Sequence, residues 1–413
     1  MWNRFFAPIL LLALSVGTLT WVLTSPFWQT LFQISAVIRL VHDGFVDEDV
    51  VSYERLRRSA LTGIMDSLDR NSSFMAREEV RRFEETTRQR YVGIGVEIQA
   101  LRGRVTMMEV YEDGAAAEAG LLAGDQIIEI NGEDAREWTV GDVADRLRGP
   151  EGETVSMTVF RPLENEEVTV ALRRRAVRVA TVRNHYLDED RIAYFTLRQF
   201  GHLTASEVES ALRGFRDQGA RALIIDLRDN PGGTLEAAKD VVDFFLPPGE
   251  LITYLEGRRA RDRMEFRSRR EALWGERPVA VIVNESSASG SEIVAGALQD
   301  AGRAFVVGAR SFGKGSVQTV FTLRSGDAIR QTTARYFLPS GRSIDEVGVE
   351  PDVPVEFSSE ERAELIIQSR HREILDAAAF EEVFGFPPDR VDRPLEAARE
   401  VLRETLESQS RQA

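Results

Sequence analysis

Cysteine is absent from this chain, lysine nearly so, and histidine scarce. The first absence excludes disulfides, thiolate metal sites and a cysteine nucleophile. It leaves the redox compartment open, since a cysteine-free protein is stable in either. The four histidines, His42, His185, His202 and His371, lie away from every serine-rich motif, which argues against a histidine-based triad. No His/Asp spacing suits a metal. Positive charge is short overall: 52 Lys and Arg against 67 Asp and Glu leave a net charge of -15. No basic excess is available for phosphates, so the composition argues against general nucleic-acid binding. The arginine-rich stretch 258–270 carries interleaved acids and reads as a solvated face.

Of the 52 cationic residues only Lys239 and Lys314 are lysines. Arginine does not lose its proton in a protein, whereas a buried lysine can. Lys314 stands in a tight turn, Ser311-Phe312-Gly313-Lys314-Gly315-Ser316-Val317-Gln318. Upstream lies a run of small residues, Ser286-Ser287-Ala288-Ser289-Gly290-Ser291-Glu292-Ile293. Taken alone, the two stretches also suit a solvated turn and a helix N-cap. Together, in a chain that uses arginine almost everywhere else, they point to a serine activated by a lysine base. Lys239 reads as a surface residue on a helix.

Phe5 to Leu23 carries no charge and is long enough to cross a hydrocarbon core. Arg4 precedes it, which favours a cytoplasmic N-terminus and places the remainder on the periplasmic or extracellular side. A retained membrane anchor is favoured over a cleaved signal, because no clear Ala-x-Ala site follows. Residues 28 to 88 read as helical, with Phe32, Ile34, Val37, Ile38 and Val41 at helical spacing and a turn cluster at Asp69 to Ser73.

From Tyr91 the pattern shifts to short strands: 93–99, 105–110, 125–130 and 154–161, with helices at 115–119 and 139–147. That order, with Gly114-Ala115-Ala116-Ala117-Glu118-Ala119-Gly120-Leu121 at its centre, resembles a circularly permuted PDZ domain over 89–165. Ala115 stands where such domains usually have proline. The loop Tyr91-Val92-Gly93-Ile94-Gly95-Val96 is similar to the carboxylate-binding loop of these domains. Its glycines allow backbone amides to converge on an anion, beside a strand edge open to an extended peptide. From Arg191 strands and helices alternate, which predicts an α/β core over 166–357. Charged helices follow at 358–413, suited to packing or dimerisation. With the anchor at 1–27 and the helical lead-in at 28–88, the chain divides into five parts.

Three loops follow strands of the core: Asn230-Pro231-Gly232-Gly233, Ser286 to Ser291, and Phe312 to Gln318. Together with Asp226-Leu227-Arg228-Asp229, Pro339-Ser340-Gly341-Arg342-Ser343-Ile344 and Gly348-Val349-Glu350-Pro351-Asp352, they resemble the carboxyl-terminal processing peptidases, the tail-specific proteases of family S41. The likeness runs in one order from about residue 30 to about 355. It implies a crotonase/ClpP-like α/β peptidase core with an inserted PDZ domain and no cofactor. It further implies Ser289 as nucleophile, Lys314 as base and Gln318 as the group that orients the lysine. The oxyanion amides would be those of Gly290 and of Gly232 or Gly233, between which the sequence does not choose. Gly290 stands where the family commonly has alanine. Lys314 must be substantially neutral to act, so its pKa must fall from ~10.4 toward neutrality. Implied partners are proteins with accessible C-termini, an adaptor or activator, and a second copy of the chain. The rivals are an inactive PDZ adaptor and a crotonase-like acyl-transfer enzyme. Asp226 and Arg228 read as a structural ion pair before a substrate contact.

Overall fold

The computed structural model describes residues 20–21, 24–87, 90–162, 164–178, 180–371 and 377–412. The charge-free stretch 5–23 falls almost wholly outside them. Among the described residues no helix is long and apolar enough to cross a membrane. The chain forms two compact units, residues 1–78 with 318–332, and residues 79–317 with 333–413.

In the first unit the helices Pro26–Gly44 and Tyr53–Asp66 precede a short strand, Ser73–Met75. The turn cluster does not simply end a helix, as its composition suggests. Asp69 Oδ1 accepts from the amides of Asn71 and Ser72, at 2.9 and 2.7 Å, and turns the chain into that strand. Ser73, Phe74 and Met75 then pair antiparallel with Arg330, Ile329 and Ala328.

The second unit is built on a six-stranded sheet in the order Val182–Leu187, Ile192–Leu197, Ala222–Asp226, Val279–Val283, Ala304–Gly308, Val353–Pro354. All neighbours are parallel except the first pair. The central strands Ala222–Asp226 and Val279–Val283 are buried at every residue, as parallel strands covered on both faces must be. One face packs on the helices Thr204–Asp217, Leu235–Val242 and Gly290–Asp300, through Val208, Leu212, Val241 and Ile293. The other is covered by the C-terminal helix Arg393–Gln412, which inserts Ala398, Leu402 and Leu406 against Ile224, Ala280 and Ile282. The charged C-terminal region therefore includes a structural layer of the core.

A second six-stranded sheet follows the order Val96–Leu101, Arg104–Val110, Gln126–Ile130, Thr154–Arg161, Glu166–Arg173, with Glu133–Asp134 beside the third strand. The helix Val140–Leu147 is started by a reciprocal cap between Thr139 and Asp142. This sheet continues past Asn165, the boundary set from sequence, because Glu166–Arg173 pairs residue for residue with Thr154–Arg161. Its two leading glutamates and trailing arginines resemble solvated chain, which hid it. The helix Ser359–His371 packs on the same sheet, where Ala363 and Ile367 cluster with Leu101 and Met108.

Candidate active site

Ser289 is the N-cap of the helix Gly290–Asp300 and holds φ 54° and ψ -110°. A non-glycine residue at positive φ is strained, by an amount on the order of 1–3 kcal/mol, and needs its surroundings to hold it. Those surroundings are the first glycine loop. Ala288 N and Ser291 Oγ both donate to the carbonyl of Asn230, at 3.0 and 2.9 Å, and Ser287 Oγ donates to Leu227 O at 2.8 Å.

Gly232 lies so close to Ser289 that a Cβ there would meet Ser289 Cβ at 2.7 Å and Gly290 N at 2.8 Å. A side chain at Gly233 would strike Phe200 O at 1.9 Å. The Gly232 amide is engaged, donating to Asn230 Oδ1 at 2.9 Å. Among the described residues no acceptor faces the amides of Gly233 and Gly290. Gly290 has no room to spare: a Cβ would come within 3.0 Å of the Phe200 ring, which is fully buried and fills the space an alanine methyl would take.

The lysine turn is tied to the Ser289 backbone by Glu292, which is fully buried. Its carboxylate accepts from Ser289 N at 2.7 Å, Ser311 Oγ at 2.6 Å, Gly313 N at 2.7 Å and Lys314 N at 2.9 Å. Burial pushes the Glu292 carboxyl up, and these four donors work in the other direction. Tyr336, also buried, donates its hydroxyl to the Lys314 carbonyl. Ser289 and Lys314 are themselves partly open to solvent. Gln318 belongs to the first unit, where its amide donates to Thr332 Oγ1 at 3.3 Å.

All six residues from Tyr91 to Val96 line a groove of about 390 Å³. The strand Val96–Leu101 forms one edge of its sheet. Val140, Ala144 and Leu147, spaced on one face of their helix, face it across the groove, and Arg198, Gln199 and Asp229 of the α/β core close one side. Gly95 has φ 84°, and a Cβ there would meet Gly114 Cα at 2.5 Å, so this turn requires glycine.

Asp226 and Arg228 form a buried pair at 2.7 Å, with Arg228 also on Asp392 at 2.7 Å, in keeping with a structural role. Lys239 corrects the surface reading. It is 8% exposed, paired with Glu236 at 2.6 Å and set over the Phe266 ring. Sequence reasoning assigned no role to Glu292 or Tyr336. For Glu292 a signal existed, since a glutamate three residues after a serine N-cap is half of a capping box. For Tyr336 there was none.

A strained serine at a helix N-terminus, in an α/β core that carries a groove-bearing β domain, is an arrangement that a serine-type peptidase can use, and its likeness to known proteins places the chain in that class. Residues 191–355 match the model of peptidase family S41, and residues 106–161 match that of the PDZ domain. A carboxy-terminal-processing protease of Bartonella bacilliformis is 37% identical over 307 residues, covering 73% of this chain and 70% of that protein. A probable CtpA-like serine protease of Staphylococcus epidermidis is 31% identical over 307 residues, 74% of this chain and 61% of that protein's length. Among solved structures, a photosystem II D1 C-terminal processing protease superposes with a TM-score of 0.50 at 25% identity, over 78% of this chain and 92% of that one. A putative S41 protease of Bacteroides fragilis, at a TM-score of 0.52, 16% identity, and 71% and 83% coverage, shares the fold. The chain belongs to the carboxy-terminal-processing proteases of peptidase family S41.

Proposed function

We propose that the protein is a Ser/Lys endopeptidase with a crotonase/ClpP-like core that selects protein substrates by their C-terminal tails. Neutral Lys314 takes the proton of Ser289 as Oγ attacks a peptide carbonyl, an acyl-enzyme forms, and water releases it. The observation that carries this reading is Glu292, whose carboxylate receives amides from both the serine and the lysine turns. The unpartnered amides of Gly290 and Gly233 suit a developing oxyanion, and the engagement of the Gly232 amide by Asn230 favours Gly233 of the two. Gln318 orients the lysine by likeness to the family.

The groove at Tyr91 to Val96 supports tail selection. An α-carboxylate held by the glycine loop sets the last residues of a substrate along the open edge of Val96–Leu101. The charge-free N-terminal stretch supports a membrane-anchored enzyme with its catalytic part outside the cytoplasm. An adaptor or activator and a second copy of the chain remain proposed partners by family likeness.

Cleavage of an unfolded protein with a free apolar tail, compared with the same protein bearing a charged tail, tests the reading in the full chain and in Ser289→Ala and Lys314→Ala. Both variants should lose cleavage, and the parent's rate should rise with pH through a depressed lysine pKa. Equal cleavage by Lys314→Ala rejects the mechanism, and equal cleavage of both tails rejects tail selection. A parent that binds tails but stays inert with every activator tested would make it an adaptor.

A further inference from the structure

Gln318 follows Lys314 on the first strand of a hairpin, which runs out along Ser316–Thr322 and returns along Ala328–Phe337. A two-stranded ribbon is marginal on its own. The helical lead-in holds this one at its tip, in its middle and beside Gln318. At the tip the buried Asp327 accepts from Arg57 Nη1 at 2.9 Å and from Arg77 N at 3.2 Å. In the middle Ser73, Phe74 and Met75 pair with Arg330, Ile329 and Ala328. Next to that pairing the buried Ser72 Oγ accepts from Thr332 N at 3.1 Å, and Ser72 is itself placed by Asp69, whose carboxylate takes its amide at 2.7 Å. Threonine is stiff at χ1, so fixing its backbone fixes its hydroxyl. Thr332 Oγ1 accepts from Gln318 Nε2 at 3.3 Å. A primary amide has a donor end and an acceptor end. With Nε2 held at Thr332, the carbonyl end is left for a lysine N–H. Turned over, the amide would set donor against donor.

We propose that Thr332 is a positioning residue of the peptidase, which sets the Gln318 amide the right way round for Lys314, and that Ser72 of the lead-in holds Thr332 in place for this task. The inference rests on the Ser/Lys reading above and on the lysine-orienting role of Gln318. Neither Thr332 nor Ser72 takes part in proton transfer. Both act through Gln318, so residues that precede the groove-bearing β domain in the chain are a working part of the catalytic apparatus.

The test is a double-mutant cycle in the full chain, read as hydrolysis of an unfolded protein per folded molecule, with fluorophosphonate labelling of Ser289 to follow the slow variants. Thr332→Val keeps the shape of the side chain but cannot accept. Its kcat should fall by about 3- to 10-fold, with KM within about twofold of the parent. Thr332→Ser keeps the hydroxyl and should stay within about twofold of the parent. Adding Thr332→Val to Gln318→Ala should slow the enzyme no further, because two residues that act through one group do not add. A merely structural threonine would slow both backgrounds by the same factor, and that result overturns the proposal. So does a Thr332→Val rate within about twofold of the parent, or a Thr332→Ser rate as low as that of valine.

Should the valine variant not fold, Ser72→Ala supplies a second arm. It should lower kcat by about 2- to 5-fold in the parent and leave the residual rate of Gln318→Ala unchanged. An equal drop in both backgrounds, or none in either, overturns the proposal. If the parent is not labelled at Ser289, or if Lys314→Ala or Gln318→Ala is as fast as the parent, the reading beneath has failed and this inference falls with it. If Gln318→Ala is slow and Thr332→Val is not, this inference alone falls.

Discussion

Two carboxylates are fully buried beside the glycine, serine and lysine loops, Asp226 and Glu292, and the fold treats them in opposite ways. Asp226 meets cations: Arg228 at 2.7 Å and Arg362 at 3.4 Å, with the Tyr194 hydroxyl at 2.8 Å. Burial opposes its ionisation, but the two guanidiniums outweigh burial and hold the carboxyl well below the ordinary aspartate range. Glu292 is held by three backbone amides and a serine hydroxyl, and burial prevails, pushing its carboxyl up. The difference is one of task. Charge attraction is strong and only loosely directional, which suits a scaffold under the sheet. Amide hydrogen bonds are directional, and those to Glu292 fix the backbone at Ser289, Gly313 and Lys314 together.

Removing each acid should expose this contrast. Asp226→Ala should have the larger effect on stability, because it leaves Arg228 and Arg362 buried without their shared partner, at a cost of about 3–5 kcal/mol. Urea unfolding measures it, and a loss under about 1 kcal/mol would erase the contrast. Glu292→Gln keeps the shape but turns an amide toward groups that are themselves donors. Its stability cost should be about 1–3 kcal/mol, while turnover per folded molecule falls by more than about tenfold. Peptidase assays normalised to folded protein test this, and an undiminished turnover would reduce Glu292 to a helix cap.

The pH dependence of stability should also separate them. The depressed Asp226 carboxyl contributes stability that is present above the ordinary value of 3.8 and is lost as pH falls through its lower folded value. The raised Glu292 carboxyl does the reverse: stability falls as pH climbs from 4.5 through its higher folded value. Melting curves from about pH 3 to about pH 7 should show Asp226→Asn losing the acid-side slope and Glu292→Gln losing the opposing one. Both variants moving the same slope would contradict the assignment. The smallest change is expected for Gly290→Ala. The new methyl would sit 3.0 Å from Phe200 Cδ2 and 3.4 Å from Ala238 Cβ. A helix gain of roughly 0.5–1 kcal/mol offsets the crowding, for a net change within about 1 kcal/mol. Activity should stay within about threefold, since the amide is unchanged.

Much of this was readable from residues alone. Buried strands such as Val279–Val283 announce themselves as apolar runs, and the glycines at 232, 233, 313 and 315 mark where the backbone must come close. What escaped depends on partners distant in sequence. Glu166–Arg173 looks solvated until Thr154–Arg161 is placed beside it. Lys239 looks exposed until Phe266 covers it. Gly232 and Gly233 are equivalent as letters, and only the Asn230 side chain distinguishes their amides. Tyr336 acquires meaning only when the turn at Lys314 folds onto it.

The shielding of Lys239 has a practical side. Its side chain is buried beneath the Phe266 ring and paired with Glu236, whereas Lys314 is partly exposed in its turn. Between the two lysine side chains, an amine-acylating reagent meets one closed door and one ajar. The rate of that acylation against pH would then serve as an acid–base titration of the Lys314 amine, read by peptide mass alone, in a protein whose other cationic side chains, apart from the shielded Lys239, are arginines and silent to the reagent.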